Sequence, residues 1–432
     1  MNLQNKTLLL MGGGAYAAGI KKYKDEKGFR IVALGRDADT PIARIADAFY
    51  HIDTQNVDAV CDVVKKEGVC GIFVGSSEVN IDPAIDVAER TGVYFYCDRR
   101  QWDIISNKAK FKEYARQCGL PVVPEYVVCS DYSASDIDKM TFPVMIKPTD
   151  SSGARGLNAC YRREDFDALY QEALRWSPNK EIIVEELITD AVEVFVHYTI
   201  QDGECTLSCA FTKDKVISSE NYVSLPIFHM YPSIYIDQYY EQVDEAAKAM
   251  FRAIGLKNGV IMLQGFYKDG QFMFFESGYR MGGEQMYVLT DYMWGVNSLE
   301  YMINYALTGK MSDDRIADRD NARYPYPCCN YYVPLKAGTI AAMEGVDAVE
   351  HMEGVLNVTR MCSVGDVIED TNALERVCLR IHVVGKDMED LARLLEKISS
   401  TLRIVSTNGE EMQVEPLTYE RCLRTIRNTI KV

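Results

Sequence analysis

The stretch FPVMIKPTDSSGARG, residues 142–156, joins an apolar run to a loop rich in Ser and Gly. Lys147 ends the apolar run, so a buried strand would hold the stem of this side chain and aim its ammonium group. The backbone N–H groups of the Ser and Gly residues that follow could fold around phosphate oxygens. Taken alone, the stretch is more typical of a flexible turn, and it is not a Walker loop because the lysine precedes the glycines. The segments on either side must decide between a turn and a phosphate-binding loop.

The composition restricts the possible partners. The chain has 432 residues, of which 47% are hydrophobic, and a formal net charge of −16. This charge repels nucleic acids and anionic membranes, so we expect neither as a partner, and any bound phosphate must be held by a few local cations. We expect no signal peptide, and no apolar run approaches the roughly 20 residues that cross a bilayer.

The cysteines and histidines give no metal-binding pattern. The 13 cysteines are scattered without a C-x-x-C motif, and none of the five histidines is spaced as a ligand pair. We therefore interpret the cysteines as free thiols packed as small hydrophobes, which is typical of a cytoplasmic protein.

The first hundred residues alternate strand-like and helix-like segments. This alternation, with strands about 20 residues apart, predicts an α/β domain over residues 1–107 built on a doubly wound parallel sheet. The strand-like runs are residues 7–11, 30–35, 49–52, 71–75 and 93–97, and helix-like segments include 56–67 and 81–91.

The pattern changes after Gly119-Leu120-Pro121. Strand-like runs at 124–128, 143–147, 158–161 and 181–187 surround a helix at 163–175, which predicts a small α+β unit. Two antiparallel hairpins follow, with turns at Asp202-Gly203 and Asp269-Gly270, and helices are predicted at 237–253 and about 298–308. The tail is predicted to contain strands and a helix at 386–399.

Two loops at the ends of N-terminal strands could bind ligands. Gly12-x-Gly14-x-x-Ala17 fits a dinucleotide fingerprint, but the acidic residue expected after the second strand is absent, and a close approach of two loops also requires Gly. Ser77 and Glu78 follow the fourth strand, at the sheet edge where open α/β sheets bind ligands. They could bind an amine or a carboxylate, or simply cap the next helix.

The motifs around the opening stretch form an ordered series. Asn107-Lys108 precedes it, EIIVEELI at 181–188 follows it, and FESGYRMGGE at 275–284 lies in the second hairpin. This series resembles the ATP-grasp superfamily over nearly the whole chain. The resemblance implies an N-terminal doubly wound sheet (1–107), a central α+β ATP-grasp domain (108–310) with a mobile lid at about 122–188, and a C-terminal α+β lobe (311–432).

The resemblance also implies cofactors and residue roles. ATP and Mg²⁺, or Mn²⁺ in its place, would be the cofactors, and hard oxygen ligands suit either ion. Arg280 would stabilise the charge that develops during the reaction. The ATP-binding residues would be Lys108 and Lys147 at the phosphates, Ser151, Ser152 and Gly153 in the closing loop, Glu185, Glu186 and Leu187 at the adenine, and Glu193 at the ribose; Gln264 and Glu276 would ligate the metal.

One residue departs from the family pattern. Members usually carry Asn two residues after the metal-binding Glu, and here that position is Gly278. A water could replace the missing ligand, or one metal site could be weak. The second hairpin provides a check, because a two-residue turn would place Gln264 and Glu276 on opposite faces. We therefore expect a three-residue loop, Lys268-Asp269-Gly270.

Three further side chains have competing interpretations, and one glycine is a further candidate for substrate contact. His197 lies within a strand and is expected to be a packed core histidine. His229 lies in an aromatic segment where the family places substrate contacts, and Gly283 lies within residues 281–287, which are expected to shape the substrate pocket. Arg280 could form an ordinary surface salt bridge with Glu284 instead of acting in the reaction.

The resemblance implies an ATP-dependent carboxylate–amine ligase that works through an acylphosphate. Its partners would be a small carboxylate and an amine, and the protein could be a homodimer. Residues 333–370 are similar to the C-terminal lobe of biotin carboxylases and bacterial L-amino-acid ligases, and ESGYRMGGE is closer to the ligase form. Carbamoyl-phosphate-synthase-like or biotin-carboxylase-like carboxyphosphate chemistry is the first alternative. A nucleotide-binding protein without turnover is the second.

Overall fold

The computed structural model describes residues 1–126, 128, 131–151, 155–217, 224–370 and 375–431. Four parallel strands form the N-terminal sheet, in the order β3-β2-β1-β4. All residues of β1 are buried, as expected for a parallel strand covered on both faces. The elements are β1 (Thr7–Leu10), α1 (Ala17–Lys27), β2 (Arg30–Gly35), α2 (Pro41–Ile45), β3 (Ala48–His51), α3 (Val57–Glu67), β4 (Gly71–Phe73), α4 (Ile81–Thr91) and α5 (Arg99–Ser106).

The prediction of a fifth strand at 93–97 is wrong. Only Tyr94 pairs with the sheet, through an isolated bridge to Gly71. The chain bends at Tyr96, and Asp98 then caps α5 with a capping box, in which its side chain accepts from the backbone N–H of Gln101 and the Gln101 side chain accepts from the backbone N–H of Asp98.

The next unit is the small α+β unit that the sequence predicts. Its antiparallel sheet has the order β5-β8-β6-β7 and its own hydrophobic cluster. The preceding helix begins at Lys108 because the Asn107 side chain accepts hydrogen bonds from two backbone N–H groups of its first turn. The elements are α6 (Lys108–Gln117), β5 (Glu125–Tyr126), α7 (Ala134–Ile137), β6 (Val144–Pro148), β7 (Asn158–Cys160), α8 (Phe166–Arg175) and β8 (Ile182–Glu186).

Both predicted hairpins form in the central unit, but the single helix predicted at 237–253 is wrong. Two helices replace it because the backbone leaves the helical conformation at Val243. The elements are β9 (Val192–Gln201), β10 (Glu204–Ile217), β11 (Ser224–Tyr231), α9 (Ile236–Gln242), α10 (Asp244–Ile254), β12 (Gly259–Lys268), β13 (Gln271–Gly278), α11 (Tyr287–Trp294) and α12 (Ser298–Thr308).

The C-terminal strands extend the central sheet. Its eight antiparallel strands have the order β13-β12-β9-β10-β11-β14-β18-β16, and β17-β15-β19 form a separate small sheet. The elements are β14 (Cys328–Pro334), β15 (Gly338–Glu344), α13 (Val346–Glu350), β16 (Val355–Arg360), β17 (Val367–Ile368), β18 (Val377–Val384), α14 (Met388–Thr401), β19 (Arg403–Ser406) and α15 (Tyr419–Thr429). Among the helices of the described ranges, none has both the length and the apolar character of a bilayer span.

One face of the central sheet collects the candidate site. Residues directly opposite each other in an antiparallel pair share a face. Gln264 lies opposite both Glu276 and Phe195, and Phe195 lies opposite Phe211. The metal-binding candidates therefore share a face with the aromatic residues of β9 and β10.

Candidate active site

A β-bulge brings Gln264 and Glu276 together. Lys268 pairs with Gln271, so Asp269-Gly270 is a two-residue turn, and both turn residues have positive φ (51° and 82°) as in a type I′ turn. The predicted three-residue loop is therefore wrong. The register instead shifts between Gln264 and Gly265, which places Gln264 directly opposite Glu276.

The bulge depends on Gly265. A Cβ at this position would lie 2.5 Å from the carbonyl oxygen of Met273 and 2.8 Å from the Phe274 ring. We expect Gly265→Ala to lower the free energy of unfolding by about 1–3 kcal/mol and to raise the Mg²⁺ concentration needed for ADP formation, because the bulge must open. Urea unfolding and Mg²⁺ titration measure the two effects.

Gly270→Asn is the matched control on the same hairpin. Nothing lies within 4 Å of a Cβ at Gly270, and Asn tolerates positive φ. A Gly265→Ala variant with the Mg²⁺ requirement of the control would contradict a role of the bulge in metal binding.

The side chains of Gln264 and Glu276 suit a divalent cation, but the space for a third side-chain ligand at position 278 is filled. Gln264 donates from Nε2 to Sδ of Met262 at 3.9 Å, which leaves its amide oxygen as an acceptor, and Glu276 carries a carboxylate. A Cβ at Gly278 would lie 2.7 Å from Cε of Met262. Met262 thus fills the space of the family's third ligand. No group of three or more His, Cys, Asp or Glu in the described ranges has metal-binding geometry.

Two buried lysines, Lys108 and Lys147, contact residues of the candidate site. Lys108 Nζ donates to the carbonyl oxygen of Ser151 at 2.7 Å and lies 3.8 Å from Glu276 Oε1. Lys147 Nζ lies 2.5 Å from Glu185 Oε2 and 5.2 Å from the centroid of the Phe275 ring. Both side chains are under 10% exposed, so their charges act in a poorly screened environment.

The loop after Lys147 is only partly described. Ser151 Oγ donates to the carbonyl oxygen of Arg155 at 3.1 Å, so the described part of the loop turns back on itself. Ser152 and Gly153 lie outside the described residues.

The candidate adenine-binding strand presents its residues in different directions. The carboxylate of Glu185 is buried and ion-paired, whereas the side chain of Glu186 is exposed. The backbone N–H groups of Glu186 and Leu187 donate to the carbonyl oxygens of Pro124 and Pro143, at 3.0 and 3.3 Å. The role given to residues 185–187 at adenine remains a prediction, and the Glu185 carboxylate is ion-paired with lysines.

Glu193, the candidate ribose ligand, lies at a cationic part of the sheet. Its carboxylate is 2.7 Å from Lys215 Nζ and 3.8 Å from Lys213 Nζ. Burial raises the pKa of Glu193, but the two lysines outweigh it and the pKa is lowered. Lys213 also lies 3.7 Å from the centroid of the Phe195 ring, a cation–π contact.

Arg280 pairs with the N-terminal domain. Its Nε and Nη2 donate to Glu78 Oε2, at 3.3 and 3.1 Å, so the expected alternative pairing with Glu284 is wrong. The reason is the path of the chain after β13, which brings Arg280 to the loop after β4. Ser77 lies in the same loop, where its Oγ accepts from Asn80 Nδ2 at 2.9 Å.

Glycines after β1 and β4 allow the loops that follow these two strands to approach each other closely. A Cβ at Gly12 would lie 2.7 Å from the carbonyl oxygen of Val74, and one at Gly75 would lie 2.6 Å from Cα of Gly13. Tyr16, which follows Gly12 and Gly13 in the sequence, donates from its hydroxyl to the carbonyl oxygen of Gly282. These contacts support close packing rather than dinucleotide binding as the reason for the glycines.

A buried histidine cluster was missed by sequence reasoning. His197 Nε2 lies 2.7 Å from Glu284 Oε1, and His382 Nε2 lies 2.9 Å from the carbonyl oxygen of Glu284. Burial raises the pKa of Glu284, but His197 more than offsets it and lowers the pKa to about 2. Burial lowers the pKa of His382 to about 4. His197 is thus a buried residue, as expected, but its partner is a carboxylate of the candidate site.

His229 and Gly283 lie beside this cluster. His229 Nδ1 is 3.1 Å from the hydroxyl of Tyr332, and burial holds its pKa well below the usual value. The carbonyl oxygen of Gly283 accepts a hydrogen bond from Arg380. Tyr332 and Arg380 come from C-terminal strands, and no local sequence signal marks them.

Two family models match the chain. "Carbamoyl-phosphate synthase L chain, ATP binding domain" matches residues 107–313, and "L-amino acid ligase C-terminal domain 2" matches residues 331–407. The first model covers the lysines, the metal-binding candidates and Arg280, and the second covers most of the C-terminal strands.

Curated relatives are distant. The carbamoyl phosphate synthase large chain of Methanothermobacter thermautotrophicus is 25% identical over 40% of this chain and 16% of its own length. A formate-dependent phosphoribosylglycinamide formyltransferase of Methanocaldococcus jannaschii is 24% identical over 62% of this chain and 68% of its own. The chain spans between 16% and 52% of the length of the first three curated relatives.

Solved structures match over nearly the whole chain. An L-amino acid ligase from Bacillus licheniformis gives a TM-score of 0.75 at 17% identity, covering 94% of this chain and 100% of that one. The biotin carboxylase domain of the Hydrogenobacter thermophilus 2-oxoglutarate carboxylase, solved with MgADP and bicarbonate, gives 0.77 at 16% identity, covering 98% and 94%. At these identities the likeness establishes the fold.

Proposed function

Because this chain belongs to the ATP-grasp superfamily, whose members are ATP-dependent ligases, we propose that it joins a carboxylate to an amine. The product is an amide or peptide bond, formed through an acylphosphate with release of ADP and phosphate. Activation as an acylphosphate divides one difficult step into two easier ones.

The observation that carries this proposal is the Arg280–Glu78 ion pair. It joins a guanidinium, four residues after Glu276 of the metal strand, to a carboxylate on the N-terminal domain. An α-amino acid presents the complementary pair of charges, a carboxylate for Arg280 and an ammonium for Glu78. The match of residues 331–407 to an L-amino acid ligase domain supports the same substrate class.

The other side chains of the site have separate roles in substrate binding and in charge stabilisation. Lys108 and Lys147 bind the ATP phosphates, and Gln264 with Glu276 holds Mg²⁺. When bound, Mg²⁺ neutralises charge on the transferring phosphoryl group. Arg280 then stabilises the tetrahedral adduct that forms when the amine attacks the acylphosphate.

Release of ADP and phosphate over a panel of amino acids, with and without bicarbonate, tests the proposal. We expect release that depends on an amino-acid pair and yields a dipeptide detectable by mass spectrometry. Release driven by bicarbonate alone would favour carboxyphosphate chemistry. Nucleotide binding without release under any condition would favour a protein without turnover.

Lys147→Met tests the phosphate-binding role directly. We expect the variant to bind ATP about 2–3 kcal/mol more weakly, a typical loss for one charge-assisted hydrogen bond to phosphate. Isothermal titration of ATP measures the difference, with Lys180→Met, an exposed lysine of the same unit, as the control. Unchanged ATP affinity in Lys147→Met would contradict the assignment.

A further inference from the structure

A cluster of four charged residues, three of them buried, connects α6 to the β5-β8-β6-β7 sheet. It consists of Lys112, Glu125, Lys147 and Glu185, and only Lys147 has a direct role in the proposed function. Lys112 has a side chain that is 0% exposed, and it lies one helical turn after Lys108 on the same face of α6. Its burial requires an explanation, because lysine is almost never fully buried without a partner.

Lys112 lies between two opposed carboxylates. Glu125 of β5 and Glu185 of β8 are directly opposite each other in this sheet, an arrangement that is destabilising for like charges. Lys112 Nζ is ion-paired with Glu185 Oε1, lies 3.4 Å from Glu125 Oε2 and donates to the carbonyl oxygen of Val123 at 2.8 Å. The ammonium group of Lys112 is thus surrounded by oxygens of the cluster itself, one of them a hydrogen-bonded carbonyl and two of them in ion pairs.

The second oxygen of Glu185 is bound by Lys147. The two groups are 2.5 Å apart, and the Glu185 side chain is 3% exposed. When Lys147 donates to a phosphate oxygen, it shares or gives up this carboxylate. A buried carboxylate that loses its cation is strongly destabilised, which would oppose ATP binding unless a second cation remained.

Building on the proposed binding of ATP phosphate by Lys147, we propose that Lys112 is a positioning residue for ATP. It remains ion-paired with Glu185 while Lys147 moves to the phosphate, so Glu185 stays fixed and compensated in both states. Lys112 thus acts on ATP only through Glu185 and Lys147. Arg116 cannot substitute for it, because its own partner is Glu125 at the exposed edge of the cluster.

The test compares four variants: Lys112→Met, Lys110→Met, Glu185→Gln and the double variant of Lys112→Met with Glu185→Gln. ATP titrations give the Kd, and steady-state kinetics give the KM and kcat. We expect Lys112→Met to raise the Kd and the KM for ATP about tenfold, a size typical of coupling between contacting residues. The kcat at saturating ATP should stay within about twofold, since Lys112 touches no reacting atom. Lys110→Met, the same substitution at an exposed position of α6, is the matched control and should leave all three values unchanged.

Glu185→Gln separates this role from a merely structural one. Adding Lys112→Met to Glu185→Gln should change the Kd for ATP by less than about threefold, because the charge that Lys112 compensates is gone. This comparison holds even if Lys112→Met alone does not fold. A loss of about tenfold in the double variant relative to Glu185→Gln, or unchanged ATP affinity in folded Lys112→Met, would overturn the proposal. If the unaltered protein binds no ATP, the proposed function fails instead.

Discussion

Glu276→Gln should reduce ADP formation by at least about 1,000-fold, even at saturating ATP and amino acid, because metal charge stabilisation is worth several kcal/mol. The substitution keeps the size of the side chain and removes its charge. Gln264, the residue opposite, is already neutral, and Met262 fills the place of a third ligand at Gly278. Glu276 is therefore the single carboxylate of the proposed metal pair. Coupled-enzyme measurement of ADP at several Mg²⁺ concentrations gives the effect.

Glu344→Gln is the matched control for Glu276→Gln. Glu344 is an exposed glutamate that ends β15, far along the chain from the metal pair. Its replacement should leave both the rate and the Mg²⁺ dependence unchanged. If Glu276→Gln retained a rate within about tenfold of the unaltered protein, the proposed metal pair would be wrong, because removing even one preorganised donor costs about 100-fold or more.

The β12–β13 hairpin, which carries Gln264 and Glu276, shows what could not be predicted from the sequence. Asp269-Gly270 correctly predicted the position of the turn, because both residues tolerate the positive φ of a type I′ turn. The bulge at Gly265 was not predictable in the same way. It depends on how closely the backbone of Met273 approaches, a cross-strand distance that a single sequence does not contain. Gln264 and Glu276 were expected to share a face, and they do, but the expectation rested on the wrong turn.

Helix and strand patterns were predictable wherever the signal was local. The α/β alternation, the hairpins and the strands of the small α+β unit were confirmed because hydrophobic periodicity and turn residues act over a few positions. Contacts between distant segments were not predictable. Glu78 and Arg280 are 202 residues apart, and Lys112 resembles any other helical lysine until Glu185 is placed beside it.

Arg280→Ala should reduce the rate of amide formation about 100-fold or more while ATP affinity stays within about twofold, because the guanidinium acts on the tetrahedral adduct rather than on ATP. Arg280 is 16% exposed and donates twice to Glu78, so it is held in place before substrate binds. Rapid-quench measurement of product, together with ATP titration, separates the two quantities.

Glu78→Gln distinguishes a structural ion pair from a substrate-binding one. In a purely structural pair, Arg280→Ala and Glu78→Gln would each lower stability and leave the rate of the folded enzyme intact. In the proposed site, Glu78→Gln should mainly raise the KM for the amino acid, since it weakens the contact with the substrate ammonium. Arg280→Ala should raise this KM and also lower kcat, since the guanidinium both binds the substrate carboxylate and stabilises the tetrahedral adduct. Arg315→Ala removes an exposed arginine that is ion-paired with Glu204, and it should change neither value. Full turnover in folded Arg280→Ala would show that the guanidinium serves only to join the N-terminal domain to the metal strand.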